Sequence, residues 1–521
     1  MNKNTNLVKN VITVVVFGFF CKIIVIIKDL QLASEFGTAS VIDNLIMTQS
    51  MIGFPVMIIN TVLTASFIPL YLGIKSKSGI EDAEVFFHKL FLKVFLLSLL
   101  LILVLYITRD YYIYIFASGF SDEKKLALEK MFVVSLIGMA FTLACNLLVL
   151  RFQAVNEYKL TSFIIVPQTI STIIVIYFSS IYSSDYLSYI NIIAPVCGFV
   201  FMIFIYKLYL ERSFTFSYSA IFTIDEHERK ICLIAAPLLI SSLFNQFNVI
   251  IDRNIISSFD DGQLAAVNYA IKVCTIFSSI IMPILVVFLP SLSEKSANKE
   301  FSAISKDIIN ILKSSFYILL PILALVSLES KLIVKVLFFR GEFDIEAVNT
   351  TSLILAPYLF SLAFFQFLNG VMVRAYFSVG KVKYTIYINV VTVIFNIMAN
   401  LYFSSLYGLF GIAIASFFSG IFCFLLYLYF FKKIFGINIF IQSSAYLFKA
   451  SLFTSLVCGL YSVCSYIISP SGFILTSWIE LITKVLLYLC LFILLIYTLK
   501  INFYKKLIYN IKENIFDRNK G

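Results

Sequence analysis

The 521-residue chain is 60% hydrophobic and only 13% charged, with a formal net charge of +11 at pH 7. A water-soluble domain carries about a quarter charged residues, so this composition excludes an ordinary soluble protein. Runs of about twenty apolar residues recur along the whole chain, and this length crosses a bilayer as a helix. Because the runs lack the alternation of barrel strands, the predicted fold class is an all-α integral membrane protein.

The apolar runs predict about fourteen membrane-spanning helices, numbered here as spans 1 to 14. The first run follows a short polar start and has no small-residue cleavage site after it, which predicts a permanent span rather than a signal peptide. In chain order the spans cover residues 9–28, 41–73, 90–108, 130–150, 158–182, 186–209, 230–257, 264–292, 307–329, 348–373, 381–405, 408–431, 443–468 and 476–499.

Lys and Arg are concentrated in every second loop and in the basic tail 501–521, and they are sparse in the loops between. By the positive-inside rule, the basic side is cytoplasmic, and both termini lie there. The tail is predicted to bind lipid headgroups, and no nucleic-acid partner is expected. We therefore expect a multi-pass membrane protein.

Two landmarks recur at an interval of about 220 residues, as in the internal repeats of transporters. Span 2 ends with Phe67-Ile68-Pro69 and span 8 with Phe288-Leu289-Pro290, while span 4 ends at Arg151 and span 10 at Arg374. The repeat predicts two parallel six-helix lobes around a central cavity, with both arginines at a cytoplasmic gate. The predicted units are an N-lobe (1–210), a C-lobe (211–435), spans 13 and 14 (436–500) and the tail (501–521).

Several ionisable groups fall inside the predicted spans, where each costs several kcal/mol unless it meets a partner or a wet cavity. Lys22 lies about 9 Å deeper than Lys28 along span 1, too deep to reach the interface easily. Clustered cations suit an anionic substrate such as a phosphate or pyrophosphate. The residues predicted to line this cavity are Lys22, Lys28, Asp29, Asp43 and Lys272.

Other polar residues in the spans leave two interpretations open. Asp252 and Asn396 are candidates for ion coupling, in which Na⁺, H⁺ or the membrane potential supplies energy. The simpler alternative is that the asparagines are interhelical hydrogen-bonding groups and that Lys28-Asp29 and Asp252-Arg253 are interfacial pairs at helix ends.

The sequence contains no pattern typical of catalysis. It has no Walker loop, GxSxG or HExxH motif, and its nine cysteines are scattered through apolar runs. His88 and His227 lie in predicted loops, so a histidine metal site is not expected. We predict a transporter without a cofactor or a resident metal, rather than an enzyme.

Four segments together resemble the MurJ (MviN) family of lipid II flippases. The run Lys28 to Gly37 followed by Asp43 is similar to the family's RD-x-x-x-A-x-x-FG … D opening. Asn268–Lys272 resembles its YADR segment, and Arg340–Asp344 its RGxF loop. The stretch from Arg374 to Lys383 resembles RAFYA-x-x-D-x-x-TP, so the resemblance covers about residues 8–435.

The resemblance implies a transporter of the multidrug/oligosaccharidyl-lipid/polysaccharide exporter superfamily that works by alternating access. Lys22, Lys28 and Lys272 stand where the family has arginines that hold the diphosphate of an undecaprenyl-linked saccharide. Asp29 stands at its essential aspartate, and Asp252 near a sodium-site carboxylate. Spans 13 and 14 would form the groove for the lipid tail.

The chain departs from the family in two ways that leave the substrate open. Lysines replace all three cavity arginines, and lysine binds phosphate without the bidentate fork. The second half of span 2, Phe54–Asn60, carries no charge where the family has a basic residue. Lipid II and another polyprenyl-diphosphate-linked glycan, for capsule or O-antigen, therefore both fit. A cation-coupled multidrug exporter of the same superfamily is the second alternative, and a membrane-embedded polymerase or ligase of sugar chains is the third.

Overall fold

The computed structural model describes residues 21–210, 226–435, 439–468 and 477–498, and these are almost entirely helical. The start of span 1 and the predicted basic tail lie outside the described residues. Helix α1 is described from residue 21 to residue 36. The helices that follow in the first part of the chain are α2 (Ser40–Ser78), α3 (Ile80–Ile107), α4 (Arg109–Ala117), α5 (Asp122–Ala154), α6 (Tyr158–Phe163), α7 (Ile165–Ile181) and, after a short 3₁₀ turn, α8 (Ile190–Leu210).

The second part of the chain repeats this alternation of long and short helices. A π-helical turn, Phe360–Phe365, joins two of them, α14 and α15. The helices are α9 (Glu226–Ser257), α10 (Gln263–Ile281), α11 (Pro283–Ala297), α12 (Phe301–Leu328), α13 (Ser330–Phe338), α14 (Ile345–Leu359), α15 (Gln366–Ser378), α16 (Val382–Phe435), α17 (Ile439–Ile468) and α18 (Ser477–Thr498).

Within the described residues, 11 helical segments are long and apolar enough to cross a membrane. One of them, Val382–Ile434, has 53 residues and is broken at Gly408, whose backbone is non-helical (φ 56°, ψ −134°). This break falls between predicted spans 11 and 12. The all-helical, multi-pass fold is confirmed, whereas the count of fourteen spans stays a prediction.

The helices pack in two groups that meet along α2, α9 and α10. In the first group α5 packs against α2, α3 and α8, and α7 against α8. In the second group α14 packs against α10 and α16, and α15 against α11 and α16. Helix α9 contacts both α2 and α16, so it joins the groups. The predicted lobe boundaries at residues 210 and 435 stay predictions.

Helices α17 and α18 are fastened to one end of α12. The Tyr488 hydroxyl donates to the Pro321 carbonyl (2.8 Å), and the Tyr461 hydroxyl donates to Glu329 (2.7 Å). The Lys484 ammonium pairs with the other oxygen of Glu329 at 3.2 Å. Since Glu329 directly follows the last residue of α12, these bonds hold both terminal helices against the second group.

Candidate functional site: a basic cavity closed by a latch

A cavity of about 540 Å³ lies between α1, α2, α5, α7, α8 and α10. Among the described residues that line it, the charged side chains are Lys28 and Lys272. Apolar side chains of α2, among them Ile46, Ile52 and Val56, also line the cavity. Two of the five residues predicted to line a basic cavity, Lys28 and Lys272, line this one.

Asp29 connects the two lysines. Its carboxylate lies 3.0 Å from the Lys28 ammonium and 2.7 Å from the Lys272 ammonium. The Lys272 ammonium also lies 5.4 Å from the centre of the Tyr269 ring. One carboxylate between two ammonium groups leaves a net positive charge at this end of the cavity. Such a group attracts an anion, and its lysines can exchange one carboxylate contact for a phosphate oxygen.

Lys22 occupies a different place from Lys28. It is exposed and lines a smaller cavity of about 130 Å³ between α1 and α10, together with Asp29 and Lys272. Lys272 borders both cavities. The structure therefore brings the three predicted lysines to one region, with Lys22 on the far side of the Asp29–Lys272 pair.

Asp43, which was predicted to line the cavity, instead caps a helix. It is only 1% exposed, and it accepts hydrogen bonds from the backbone N–H groups of Gly262 (2.7 Å) and Ala265 (2.8 Å) at the start of α10. The Lys124 ammonium lies 2.7 Å from Asp43 and 2.7 Å from Asp261. An aspartate in this position satisfies otherwise unpaired N–H groups and the helix dipole. Its role is therefore in interhelical closure.

Further contacts close the same end of the bundle. The Glu342 N–H donates to the Ser34 carbonyl (2.9 Å), and the Tyr269 hydroxyl donates to the Gly37 carbonyl (3.1 Å). Gly37 has a φ of +52°, and a Cβ there would lie 2.2 Å from the Glu342 carbonyl oxygen, so only glycine permits this approach. We call the contacts of Ser34, Gly37 and Asp43 with the second helix group the latch.

Replacing Asp43 with Ala is expected to open the latch. The N–H groups of Gly262 and Ala265 lose their acceptor, and Lys124 keeps only the exposed Asp261. A lost cap costs about 1 kcal/mol or more, so hydrogen–deuterium exchange at the start of α10 should accelerate about tenfold. Asp260→Ala in the same loop is the control and should leave exchange of these two amides unchanged. Equal exchange in wild type and Asp43→Ala would contradict the latch.

Arg151 was predicted to lie at a cytoplasmic gate, and the structure encloses it within the first helix group. The side chain is 0% exposed and forms an ion pair with Glu84. Glu84 also accepts hydrogen bonds from the hydroxyls of Tyr71 (2.7 Å) and Tyr206 (3.1 Å). A guanidinium fully enclosed within the first helix group cannot meet substrate, so the physical role of Arg151 is to join α2, α3, α5 and α8.

Arg374, its counterpart in the repeat, is less constrained. It lines a second cavity of about 690 Å³, inside the second helix group, and donates a long hydrogen bond to the Gly370 carbonyl (3.4 Å). Asp252, Arg253 and Asn396 line the same cavity. The two repeat arginines therefore have different surroundings despite their matched positions in the sequence.

Asp252 is surrounded by amide groups. The Asn400 amide donates to it at 2.5 Å and the Asn248 amide at 3.3 Å, and Asn400 also donates to Asn396 (3.0 Å). The amide oxygens of Asn248 and Asn400 are buried and have no hydrogen-bond partner within the described residues. Carboxylate and amide oxygens are ligands that suit a hard monovalent cation. Across the described parts of the chain, no group of three or more His, Cys, Asp or Glu could hold a metal ion.

Sequence reasoning missed several residues that complete these arrangements. Lys124 was assigned to a loop, and its partners Asp43 and Asp261 are so distant in sequence that no local pattern signals the pairing. Glu84 lies in the predicted loop between spans 2 and 3, where a charged residue gives no signal of burial. Asn400 was grouped with structural asparagines, although its four-residue spacing from Asn396 puts both on one helix face.

Comparisons with known proteins agree with this architecture. A probable lipid II flippase MurJ of Rickettsia prowazekii is 23% identical over 406 residues, covering 76% of this chain and 78% of that protein. A solved structure described as lipid II flippase MurJ in an inward closed conformation superposes with a TM-score of 0.78 at 19% identity, covering 95% of this chain and 100% of the other.

A more distant structure shares the fold. An inward-facing multidrug resistance MATE family transporter of the MOP superfamily gives a TM-score of 0.66 at 13% identity, covering 79% of this chain and 95% of the other. A family model described as "Lipid II flippase MurJ" matches residues 32–483, which is most of the chain. The predicted resemblance is confirmed: this chain belongs to the lipid II flippase MurJ family.

Proposed function

We propose that this chain moves lipid II, or a closely related undecaprenyl-diphosphate-linked saccharide, from the inner to the outer leaflet by alternating access. The observation that carries the proposal is the net positive charge where Lys28 and Lys272 flank Asp29 inside the cavity. The substrate's diphosphate would bind there, and the latch would open for release. The proposal includes a monomer in the bacterial inner membrane with both termini in the cytoplasm.

The proposal that a diphosphate binds here rests on the charges that line the cavity. The cavity offers two ammonium groups to one carboxylate, and a diphosphate carries more negative charge than Asp29 alone. Each charge-assisted hydrogen bond contributes about 1.5–3 kcal/mol, so a diphosphate that accepts one from each lysine gains two such contacts. Family membership supports translocation of the bound lipid rather than chemistry on it.

A multidrug exporter is the second candidate because of the likeness to the MATE fold. Such a transporter needs acidic groups for cationic drugs. In the cavity between the two helix groups, the charged lining residues within the described chain are lysines, and Asp29 is already paired with both. The charge therefore favours an anionic substrate.

The test replaces the endogenous lipid II flippase of a bacterium with this chain and depletes the original. Survival, together with lipid II that becomes accessible on the outer face, is the expected result. Death with a well-expressed and correctly inserted protein would reject lipid II. The same assay with a capsule or O-antigen lipid-linked glycan would then decide between another polyprenyl diphosphate and a different substrate class.

We further propose that Asp252 couples transport to a cation, Na⁺ or H⁺. Its support is the cluster of Asn248, Asn396 and Asn400 around this carboxylate, in which the buried amide oxygens of Asn248 and Asn400 have no donor among the described residues. A cation bound there would contact both α9 and α16. It would therefore stabilise the conformation of the second helix group in which these two helices lie close together.

Asp252→Asn should abolish gradient-dependent transport. In proteoliposomes, we expect wild-type flipping to accelerate under an imposed Na⁺ or proton gradient, and the gradient that accelerates it identifies the ion. The variant should flip at one rate under every gradient, because the amide neither titrates nor attracts a cation. Asp110→Asn, at a side chain that is 76% exposed, is the matched control. Retained gradient dependence in Asp252→Asn would contradict the proposal.

A further inference from the structure

The second cavity, of about 690 Å³, follows the length of the second helix group. Its lining residues run along α14 and α15 from Tyr358 to Arg374, which is a distance of about 20 Å along a helix. The hydrocarbon core of a bilayer is about 30 Å thick. A cavity of this length therefore extends through much of the membrane inside one helix group.

Polar side chains line this cavity on one face of α9 and on one face of α16. Each face repeats a polar residue every three or four positions, which is about one helical turn: Asn245, Asn248 and Asp252 on α9, and Asn389, Thr392 and Asn396 on α16. The Asn400 amide donates to Asp252 at 2.5 Å, so the two faces lie side by side at this end. A continuous polar surface therefore leads away from Asp252 into the helix group.

Two amide oxygens on the cavity walls have no protein partner. The amide nitrogens of Asn248 and Asn369 donate to Asp252 (3.3 Å) and to the Gly420 carbonyl (3.4 Å). The side-chain oxygens of Asn248 and Asn369 are buried and accept no hydrogen bond from any described residue. Buried polar atoms are normally satisfied, and the cavity has room for a row of water molecules. Free oxygens suit water and a hard cation.

Arg374 lies at the other end of the cavity. It is close to the end of α15 at Ser378, on the side of Lys381 that the charge distribution predicts to be cytoplasmic. The half-buried side chain makes one long hydrogen bond, to the Gly370 carbonyl (3.4 Å), and no ion pair with a described residue. Arg151, its counterpart in the repeat, is fixed by a buried ion pair. Arg374 is therefore the arginine that can change position at low cost.

The charges in the two cavities favour different ions. Within the described lining of the second cavity, the charged residues are Asp252, Arg253 and Arg374. Arg253 directly follows Asp252 and offsets its charge, so Arg374 sets the sign of the charge at the inner end. An arginine in a narrow polar pore raises an electrostatic barrier to cations. A cation that instead left through the first cavity would meet Lys28 and Lys272.

We propose that the second cavity is a water-filled route along which the coupling cation passes between Asp252 and the cytoplasm, and that Arg374 is the gate at its inner end. This inference rests on the proposed coupling at Asp252 and adds the route to it. Displacement of the Arg374 side chain lowers the barrier, and its return prevents leak of cations drawn inward by the inside-negative potential. The cation and the lipid substrate therefore use separate paths.

Cys423 is a native reporter of water in this route. It lines the cavity and lies one helical turn from Ser419, whose hydroxyl accepts from the Asn396 amide (2.8 Å). It also lies one turn from Tyr427, whose carbonyl accepts from the Tyr376 hydroxyl (2.9 Å). Cys423 is therefore positioned between the two ends of the cavity.

The first measurement labels the full-length protein with small, membrane-impermeant methanethiosulfonate reagents and locates the label by mass spectrometry. In inverted membrane vesicles, which present the cytoplasmic face, we expect Cys423 to be labelled. Cys145, which is 1% exposed inside the first helix group, should stay unlabelled. Thr392→Cys provides a second reporter on the α16 face. Absence of label at both positions, or label only from the outer face of intact cells, would overturn the route.

Arg374→Gln tests the gate through its charge. The rate of Cys423 labelling by a cationic reagent, relative to an anionic reagent of similar size, should rise about tenfold when the positive charge is removed. Arg374→Lys should keep the wild-type ratio, and Lys381→Gln, at an exposed position in the nearby loop, should change it less than about twofold. An unchanged ratio in Arg374→Gln would overturn Arg374 as the gate.

The labelling rates are measured without a lipid substrate and without a gradient, so they are independent of the proposed function. Retained gradient dependence in Asp252→Asn would overturn the coupling and, with it, the cation that the route is proposed to carry. An unlabelled route in a protein whose transport depends on Asp252 would overturn the further inference alone.

Discussion

Lys272→Gln is expected to eliminate rescue of cells depleted of their lipid II flippase. Without Lys272, Asp29 and Lys28 form a neutral pair, so the cavity loses its net positive charge. The loss of one charge-assisted contact of about 1.5–3 kcal/mol corresponds to a roughly 10- to 150-fold weaker affinity for a diphosphate. The measurement is binding of a short-chain polyprenyl diphosphate alongside the survival assay.

Two companion variants make this prediction specific. Lys272→Arg keeps the charge and supplies the bidentate fork of a guanidinium, so it should restore survival and binding. Lys125→Gln is the matched control, because Lys125 forms only a 3.7 Å pair with the fully exposed Asp122. If Lys272→Gln rescued cells as well as Lys125→Gln does, the basic cavity would have no part in transport.

Arg151→Met is expected to produce the largest loss of stability. It leaves Glu84 as a buried carboxylate without its guanidinium, and removal of one partner from a buried pair costs about 3–5 kcal/mol. The apparent unfolding temperature in detergent, followed by fluorescence, should fall by several degrees. Arg109→Met breaks a pair whose side chains are 31% and 28% exposed, so it should cost about 1 kcal/mol or less.

The double variant Glu84→Gln/Arg151→Met distinguishes a broken ion pair from simple loss of packing. An amide at position 84 can accept from the Tyr71 hydroxyl through its oxygen and donate through its NH2 to the Tyr206 hydroxyl, and no charge remains buried. We expect it to recover most of the unfolding temperature. A double variant as unstable as Arg151→Met would show that the guanidinium's packing over the Tyr71 ring, at 4.6 Å, matters more than its charge.

The fold class could be predicted because hydrocarbon solvent imposes one strong rule, that every backbone group be satisfied inside its own helix. The basic cavity could be predicted because Lys28 and Lys272 lie inside apolar runs, where a charge is costly unless it has a partner or faces a wet cavity. The break at Gly408 was also visible, as a short interval between two runs. These features depend on composition along a short window of sequence.

The partners of buried charges could not be predicted in the same way. Asp43 meets Gly262, which is 219 residues away in sequence, and Arg151 meets Glu84, which is 67 residues away. A charge inside a span can be stabilised either by a wet cavity or by an opposite charge on another helix, and both surroundings offset the cost of placing it in the membrane. The choice between the two depends on helix rotation and packing, which one sequence does not reveal.

The fastening of α17 and α18 has a mechanical consequence. Tyr461 of α17 and Lys484 of α18 both bind Glu329, and Tyr488 of α18 binds Pro321, so sliding of α18 along α12 would break two of these hydrogen bonds and sliding of α17 would break one. We therefore expect the two terminal helices to follow α12 when the second helix group moves. Under the proposed function, an acyl chain lying against them would follow α12 as well, whereas a headgroup in the cavity would experience any change in the distance between the two helix groups.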